Sequence, residues 1–238
     1  MFPYDAALAA AVQSPSGTIS EVLQILQTID NLCAVDDGLK WFNGLYLTVT
    51  RAVAARVNAG GFSDPAWLAQ LDVQFAGLYF LAVRAALTGA PCPGCWSAMF
   101  AVRGDRRIAR IQFALAGMNA HINHDLCQAV DATCKAAGSV PRHGSAHYLD
   151  YTSVNPILDS LIEQAKQALH VRLPGDALPD VTHLEDLIGA WNLAAARENA
   201  WINAEQLWNL PPLLNSGLMT TIDGFTAVIS KALLAPAP

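Results

Sequence analysis

Apolar residues recur along this chain at helical spacing almost throughout, and the strict alternation that marks a half-buried strand is rare. Thr18-Ile19-Ser20-Glu21 reads as a capping box, in which a hydroxyl and a carboxylate satisfy amides that the first turn leaves free. It predicts a helix from there to about Cys33. Asp36 or Asp37 opens a second, which carries Trp41, Phe42, Leu45, Tyr46 and Val49 and stops at Gly60-Gly61. Asp64-Pro65 puts an N-cap before a proline at the first helical position, and the helix it starts ends near Gly89. A short turn at Trp96 to Phe100 leads to the longest segment, about Asp105 to Ala137, which Gly138 closes. A polar loop is expected up to Thr152, then a helix from Asn155-Pro156 to near His170. Thr182 to Glu185 is a second capping box, opening a helix that reaches Trp208. Pro211-Pro212 interrupts, and a last helix covers about Leu213 to Leu234.

Several of these helices are apolar on every face, as a helix is when others surround it. Ala66 to Leu87 and Ile108 to Val130 are the expected centre. The predicted fold is all-α, a single-domain bundle of seven to eight helices with a buried central helix. It spans residues 1–238, with a core at about 18–234.

Composition narrows the function classes. Of 238 residues, 53% are hydrophobic and 14% charged, against roughly 25% charged in an average globular chain. Disorder is excluded at that apolar content. A formal charge of -6 argues against nucleic acid, which calls for a basic surface. Mean hydropathy is +0.29, which raises the question of a membrane span. The best stretch, Phe75 to Leu87, is shorter than the roughly 20 residues a span needs and contains Arg84. The N-terminus lacks the basic start of a signal peptide, and five cysteines do not suggest a disulfide framework. A cytoplasmic protein without a membrane span is expected.

Polar groups on central helices are the ones to question, because burying them without partners is costly. Asn119-Ala120-His121-Ile122-Asn123-His124-Asp125 is the densest such cluster. At 100° per residue His121, His124 and Asp125 share a face, with Gly117 opening room one turn earlier and Gln128 extending the face. Asn119 and Asn123 pair at i,i+4 on the opposite side. Two imidazoles and a carboxylate so spaced suit one divalent transition metal ion or a His–carboxylate dyad for proton transfer. The bland alternative is a saturated hydrogen-bond network that fixes packing.

Asp72 and Glu198 are further carboxylates that could complete a metal shell with His121, His124 and Asp125, although internal salt bridges suit them too. Arg84 calls for an anion, internal or on a substrate. His147, in the loop from Pro141 to Tyr151 with His143, could close over the site as an acid or base. Cys92-Pro93-Gly94-Cys95 has redox or half-zinc-site spacing but lacks a second pair, so it reads as a surface turn able to form a disulfide. Trp41, Tyr46 and Tyr79, with Asn123, could line an apolar substrate pocket or be plain core. Phosphate loops and dinucleotide fingerprints are absent, so no nucleotide cofactor is expected.

The strings Asp37-Gly38-Leu39-Lys40-Trp41-Phe42-Asn43-Gly44-Leu45-Tyr46 and Phe113 to Leu126 resemble a bacterial family catalogued only as a domain of unknown function. Ala196-Arg197-Glu198-Asn199-Ala200-Trp201 and Leu207-Trp208 are similar to its C-terminal pattern, so the likeness runs from about residue 30 to 234. It implies a helical fold and brings no activity with it. Its distinctive Asn-Ala-His-Ile-Asn-His-Asp string falls on the cluster already singled out, and the Cys92/Cys95 pair lies outside it.

The expectation is an enzyme acting on a small, largely apolar molecule between central helices by acid–base or metal-assisted chemistry: hydrolysis, isomerisation or cyclisation. The competing class is a non-catalytic carrier of a hydrophobic ligand, and a third is a structural helical module. A homodimer is compatible with each.

Overall fold

The computed structural model describes residues 2–161 and 192–236. The described residues form helices and connecting turns, with no strand among them. In chain order they are α1 (Asp5–Ala11), α2 (Ile19–Leu32), α3 (Gly38–Asn58), α4 (Pro65–Thr88), α5 (Gly94–Val102), α6 (Arg110–Ala120), a π-helical turn (His121–Asp125), α7 (Leu126–Ala136), α8 (Ala146–Thr152), α9 (Leu193–Asn209) and α10 (Pro212–Leu233). Residues 155–161 are also helical.

Local chemistry sets the boundaries. The Glu21 amide donates to Thr18 Oγ1 at 3.2 Å and the Thr18 amide to Glu21 Oε2 at 3.2 Å, which completes the capping box of α2. Asp37 caps α3 through the Leu39 amide at 3.0 Å, and Asp64 caps α4 through the Trp67 amide at 3.0 Å. Gly89 ends α4 at φ 71°, a left-handed conformation that glycine adopts without steric cost.

α6, the π turn and α7 run on as one rod. α3, α5 and α10 pack on α6, α4 and α9 pack on α7, and every residue from Ile111 to Ala120 is buried. This is the central helix the apolar pattern predicts. α3 meets α6 through two reciprocal contacts. The Phe113 ring lies where a Cβ on Gly38 would stand, and the Phe42 ring where a Cβ on Gly117 would stand. Missing side chains at these two glycines let the backbones approach and let each ring fill the gap.

More helices form among the described residues than the seven to eight expected, and the short turn expected at Trp96 to Phe100 is the nine-residue helix α5. α1 was not foreseen, and Leu8 on it is fully buried. The expected loop before Thr152 holds α8, because the Ser145 hydroxyl caps it by accepting the Tyr148 amide at 3.2 Å. α9 begins at Leu193 behind an extended Asn192 whose side chain caps it, so the helix reaching Asn209 does not start at Thr182. That capping box, His170 and His183 lie outside the described residues. α4 is also longer than the stretch Phe75 to Leu87: by length and composition it could cross a bilayer, and half of its apolar window is buried inside the protein.

Candidate active site

The π turn occupies His121 to Asp125, the last five residues of the motif. Such turns are rare and concentrate at functional sites. Widening the helix changes which neighbours meet. His121 Nδ1 lies 2.9 Å from Asp125 Oδ2, as an i,i+4 pair can. His124 Nδ1 lies 2.7 Å from Oδ1 of the same carboxylate, although adjacent residues of a regular α-helix do not face each other. Trp96 on α5 adds a third donor, with Nε1 3.0 Å from Oδ2. Asp125 is 2% exposed and accepts all three bonds. Burial alone would raise its carboxyl; the bonds from His121 and His124 outweigh that and hold it below the ordinary carboxylate range. An ionised Asp125 can only accept, so both imidazoles carry their proton on Nδ1 and present Nε2 outward.

The two rings differ from there. Burial lowers the His121 pKa more than Asp125 raises it, so this imidazole is neutral at pH 7. Its ring is stacked on Phe75, with centroids 3.5 Å apart at 6°, and meets the Tyr46 ring edge-on at 4.6 Å. Its Nε2 is buried without a hydrogen-bond partner among the described residues. For His124, burial lowers the pKa while Asp125 and Asp223 raise it, and the net direction is upward.

His121 lines an apolar cavity of about 90 Å³ with Tyr46, Asp72, Phe75, Met118 and Arg197 among its walls. Asp72 Oδ2 also has no partner among the described residues, and burial alone raises its carboxyl to about 7. Tyr46 is likewise buried, its phenol pushed up by desolvation and by the Asp72 charge, and its hydroxyl has no partner among the described residues. Arg197, which sequence reasoning passed over, is held in place by Asn155 Oδ1 at 2.7 Å, the Tyr151 carbonyl at 2.8 Å and the Tyr151 ring at 4.1 Å.

Other expected site residues stand elsewhere. Glu198 accepts from the Tyr148 hydroxyl at 2.8 Å and pairs with His143 Nε2 at 2.6 Å on a solvent-facing edge, so it cannot ligate with His121. His147 stacks on Trp67 at 4.5 Å and reaches Asp64 at 3.1 Å; α8 holds it there, away from the cavity wall. Arg84 is exposed beside a separate surface groove of about 750 Å³ and forms no ion pair among the described residues. Trp41 lies under the Arg110 guanidinium at 4.4 Å, outside the cavity lining. Tyr79 is fully buried behind the lining and donates to Asn43 at 3.3 Å. Asn123 donates to Asn119 at 2.9 Å, and Asn119 ties α6 to α10 through the Thr226 carbonyl and Ser230 hydroxyl, each at 2.9 Å. The asparagines are therefore packing groups.

The Cys92–Cys95 segment is a further correction. All five cysteines are free, and Cys95 is completely buried in the first turn of α5. The turn is pinned from α10: Asp223 accepts the Gly94 amide at 2.7 Å and the Cys95 amide at 2.9 Å. Cys92 points instead at the Ala82 carbonyl, 3.7 Å away.

No curated protein and no solved structure matches the chain. The chain belongs to a family of unknown function, DUF5995, whose model matches residues 19–236.

Proposed function

We propose that the protein is an enzyme that moves a proton on a small, largely apolar molecule held in the cavity beside His121. One observation carries this reading: His121 and Asp72 line the same apolar cavity, and His121 Nε2 and Asp72 Oδ2 are both buried without a partner among the described residues. Leaving two such groups unpaired costs stability that packing alone would not demand. Strain of this kind is tolerated where it serves chemistry.

Each group has a distinct role. His121 is the base, because Asp125 fixes its Nδ1–H tautomer, burial keeps it neutral, and the carboxylate stabilises the imidazolium that forms. Asp72, held near neutrality, is the matching acid. Arg197 brings a fixed positive charge to the wall where negative charge develops on the substrate. The surrounding Phe75, Met118 and Tyr46 exclude water. This equipment suits isomerisation, and also hydrolysis or cyclisation started by proton transfer. A carrier of apolar ligands draws on the same lining but gives these unpaired groups no task.

A small β,γ-unsaturated ketone and phenyl acetate are suitable model substrates for the two reaction types. At least one should be turned over, and His121→Ala should lower kcat/KM by about 10²–10⁴-fold. Turnover that survives His121→Ala, or no turnover of either compound, would contradict the reading.

A further inference from the structure

Asp125 separates two environments. On one side is the cavity of His121. On the other, Cys95 of α5, His124 of the π turn and Asp223 of α10 bring a thiol, an imidazole and a carboxylate together, with one ligand atom of each within 4.8 Å of the others. Cys95 is 0% exposed and His124 6%. We propose that Cys95, His124 and Asp223 form a binding site for one divalent transition metal ion of the zinc type.

The donor set defines the ion. Thiolate, imidazole and carboxylate together suit a borderline ion such as Zn²⁺, at about 2.3 Å from sulfur and 2.0–2.2 Å from nitrogen and oxygen. Tetrahedral ligands at those lengths stand about 3.3–3.7 Å apart, so small side-chain rotations within the 4.8 Å envelope close the site. On binding, the metal–sulfur bond forms as the thiol proton leaves to solvent. Thiolate and carboxylate then neutralise the two positive charges of the ion, which makes a buried site electrostatically affordable.

Two features prepare the site. Metal-bound histidines are oriented by a carboxylate on their other nitrogen, and the 2.7 Å contact from His124 Nδ1 to Asp125 supplies this, leaving Nε2 for the ion. Asp223 is fixed by the Gly94 and Cys95 amides, one on each oxygen, and keeps lone pairs to spare. Three protein ligands leave one coordination position for water or a substrate atom, as in catalytic zinc sites. Cys92 is no ligand, since its sulfur is directed at Ala82.

This ion sits where the sequence motif promised one, with a different ligand set. His124 is retained, Asp125 acts behind it, and Cys95 and Asp223 replace His121, Asp72 and Glu198. The inference does not depend on the proposed activity.

The full-length protein, stripped with chelator, should bind one Co²⁺ per chain and show thiolate-to-cobalt charge-transfer absorption. Zn²⁺ should displace it and raise Tm. Cys95→Ser and Cys95→Ala should abolish the band, Asp223→Asn should weaken binding by about 10–100-fold, and Cys92→Ser should bind as the wild type does. His121→Ala should also keep the band, which separates this site from the catalytic reading. Circular dichroism confirms that each variant is folded; should the Cys95 variants unfold, the Asp223→Asn affinity and the wild-type Tm shift decide. A band that survives loss of Cys95, unchanged affinity in Asp223→Asn, or no cobalt bound by wild-type protein would overturn the proposal.

Discussion

Phe42 of α3 lies directly over Gly117 of α6, its ring filling the space a Cβ would take. The same ring meets His121 edge-on, with centroids 5.7 Å apart. Packing of α3 on the central helix therefore fixes the imidazole that faces the cavity. Gly117→Ala should destabilise the protein by about 1–3 kcal/mol in chemical denaturation, because the ring must move. Gly77→Ala, on α4 with nothing within 4 Å of the new Cβ, should instead stabilise by about 0.5–1 kcal/mol.

Asp72 makes stability fall as pH rises. Its carboxyl titrates near 7 in the folded chain against an ordinary 3.8, so between those values the unfolded chain releases a proton that the folded one keeps. Asp72→Asn should leave stability unchanged near pH 3.5 and raise it at pH 8 by on the order of 4 kcal/mol. Urea titrations of both proteins across that range test this. A variant that is less stable at pH 8 would show that the carboxylate has a partner.

Asp125 accepts from His121, His124 and Trp96. An amide at this position keeps one acceptor oxygen and sets its own N–H₂ against the remaining donors. Asp125→Asn should cost about 3–5 kcal/mol, as breaking a buried hydrogen-bonded charge does. Calorimetry at pH 7 measures it.

At the α8–α9 edge, the Glu198 hydrogen bond is the largest cause raising His143 above its ordinary 6.5, with Glu205 adding to it. The stability this contributes is present below 6.5 and lost as pH rises through the folded value. In NMR titration, Glu198→Gln should move His143 back toward 6.5.

The fold was largely legible because its signals are local. Thr18, Asp37 and Asp64 act as caps where the sequence placed them, and the run from Ile111 to Ala120 is buried as its apolar faces required. Much of the Asp37–Tyr46 string now has a physical meaning: Asp37 caps, Gly38 receives Phe113, Phe42 covers Gly117, and Tyr46 abuts His121. Site geometry was less legible. A wheel drawn at 100° per residue puts His121, His124 and Asp125 on one face, but the π turn lets Asp125 hold both rings, one on each carboxylate oxygen. Nothing in the local sequence marks that turn. Trp96 and Asp223 act across helix contacts far apart in the chain, so no spacing rule could join them to His124. Arg84 misled because an apolar neighbourhood in sequence was an exposed rim in space.

Proton transfer at His121 requires that a ligand in the cavity reach a bare, neutral Nε2. Long-range ¹H–¹⁵N NMR of the histidine rings, recorded at about pH 7 during titration with phenol, tests it most directly. The expected result is an Nδ1–H tautomer for His121 and a saturable shift of Nε2 as the phenol hydroxyl donates to it. A proton found on Nε2, or a resonance indifferent to phenol, would contradict it.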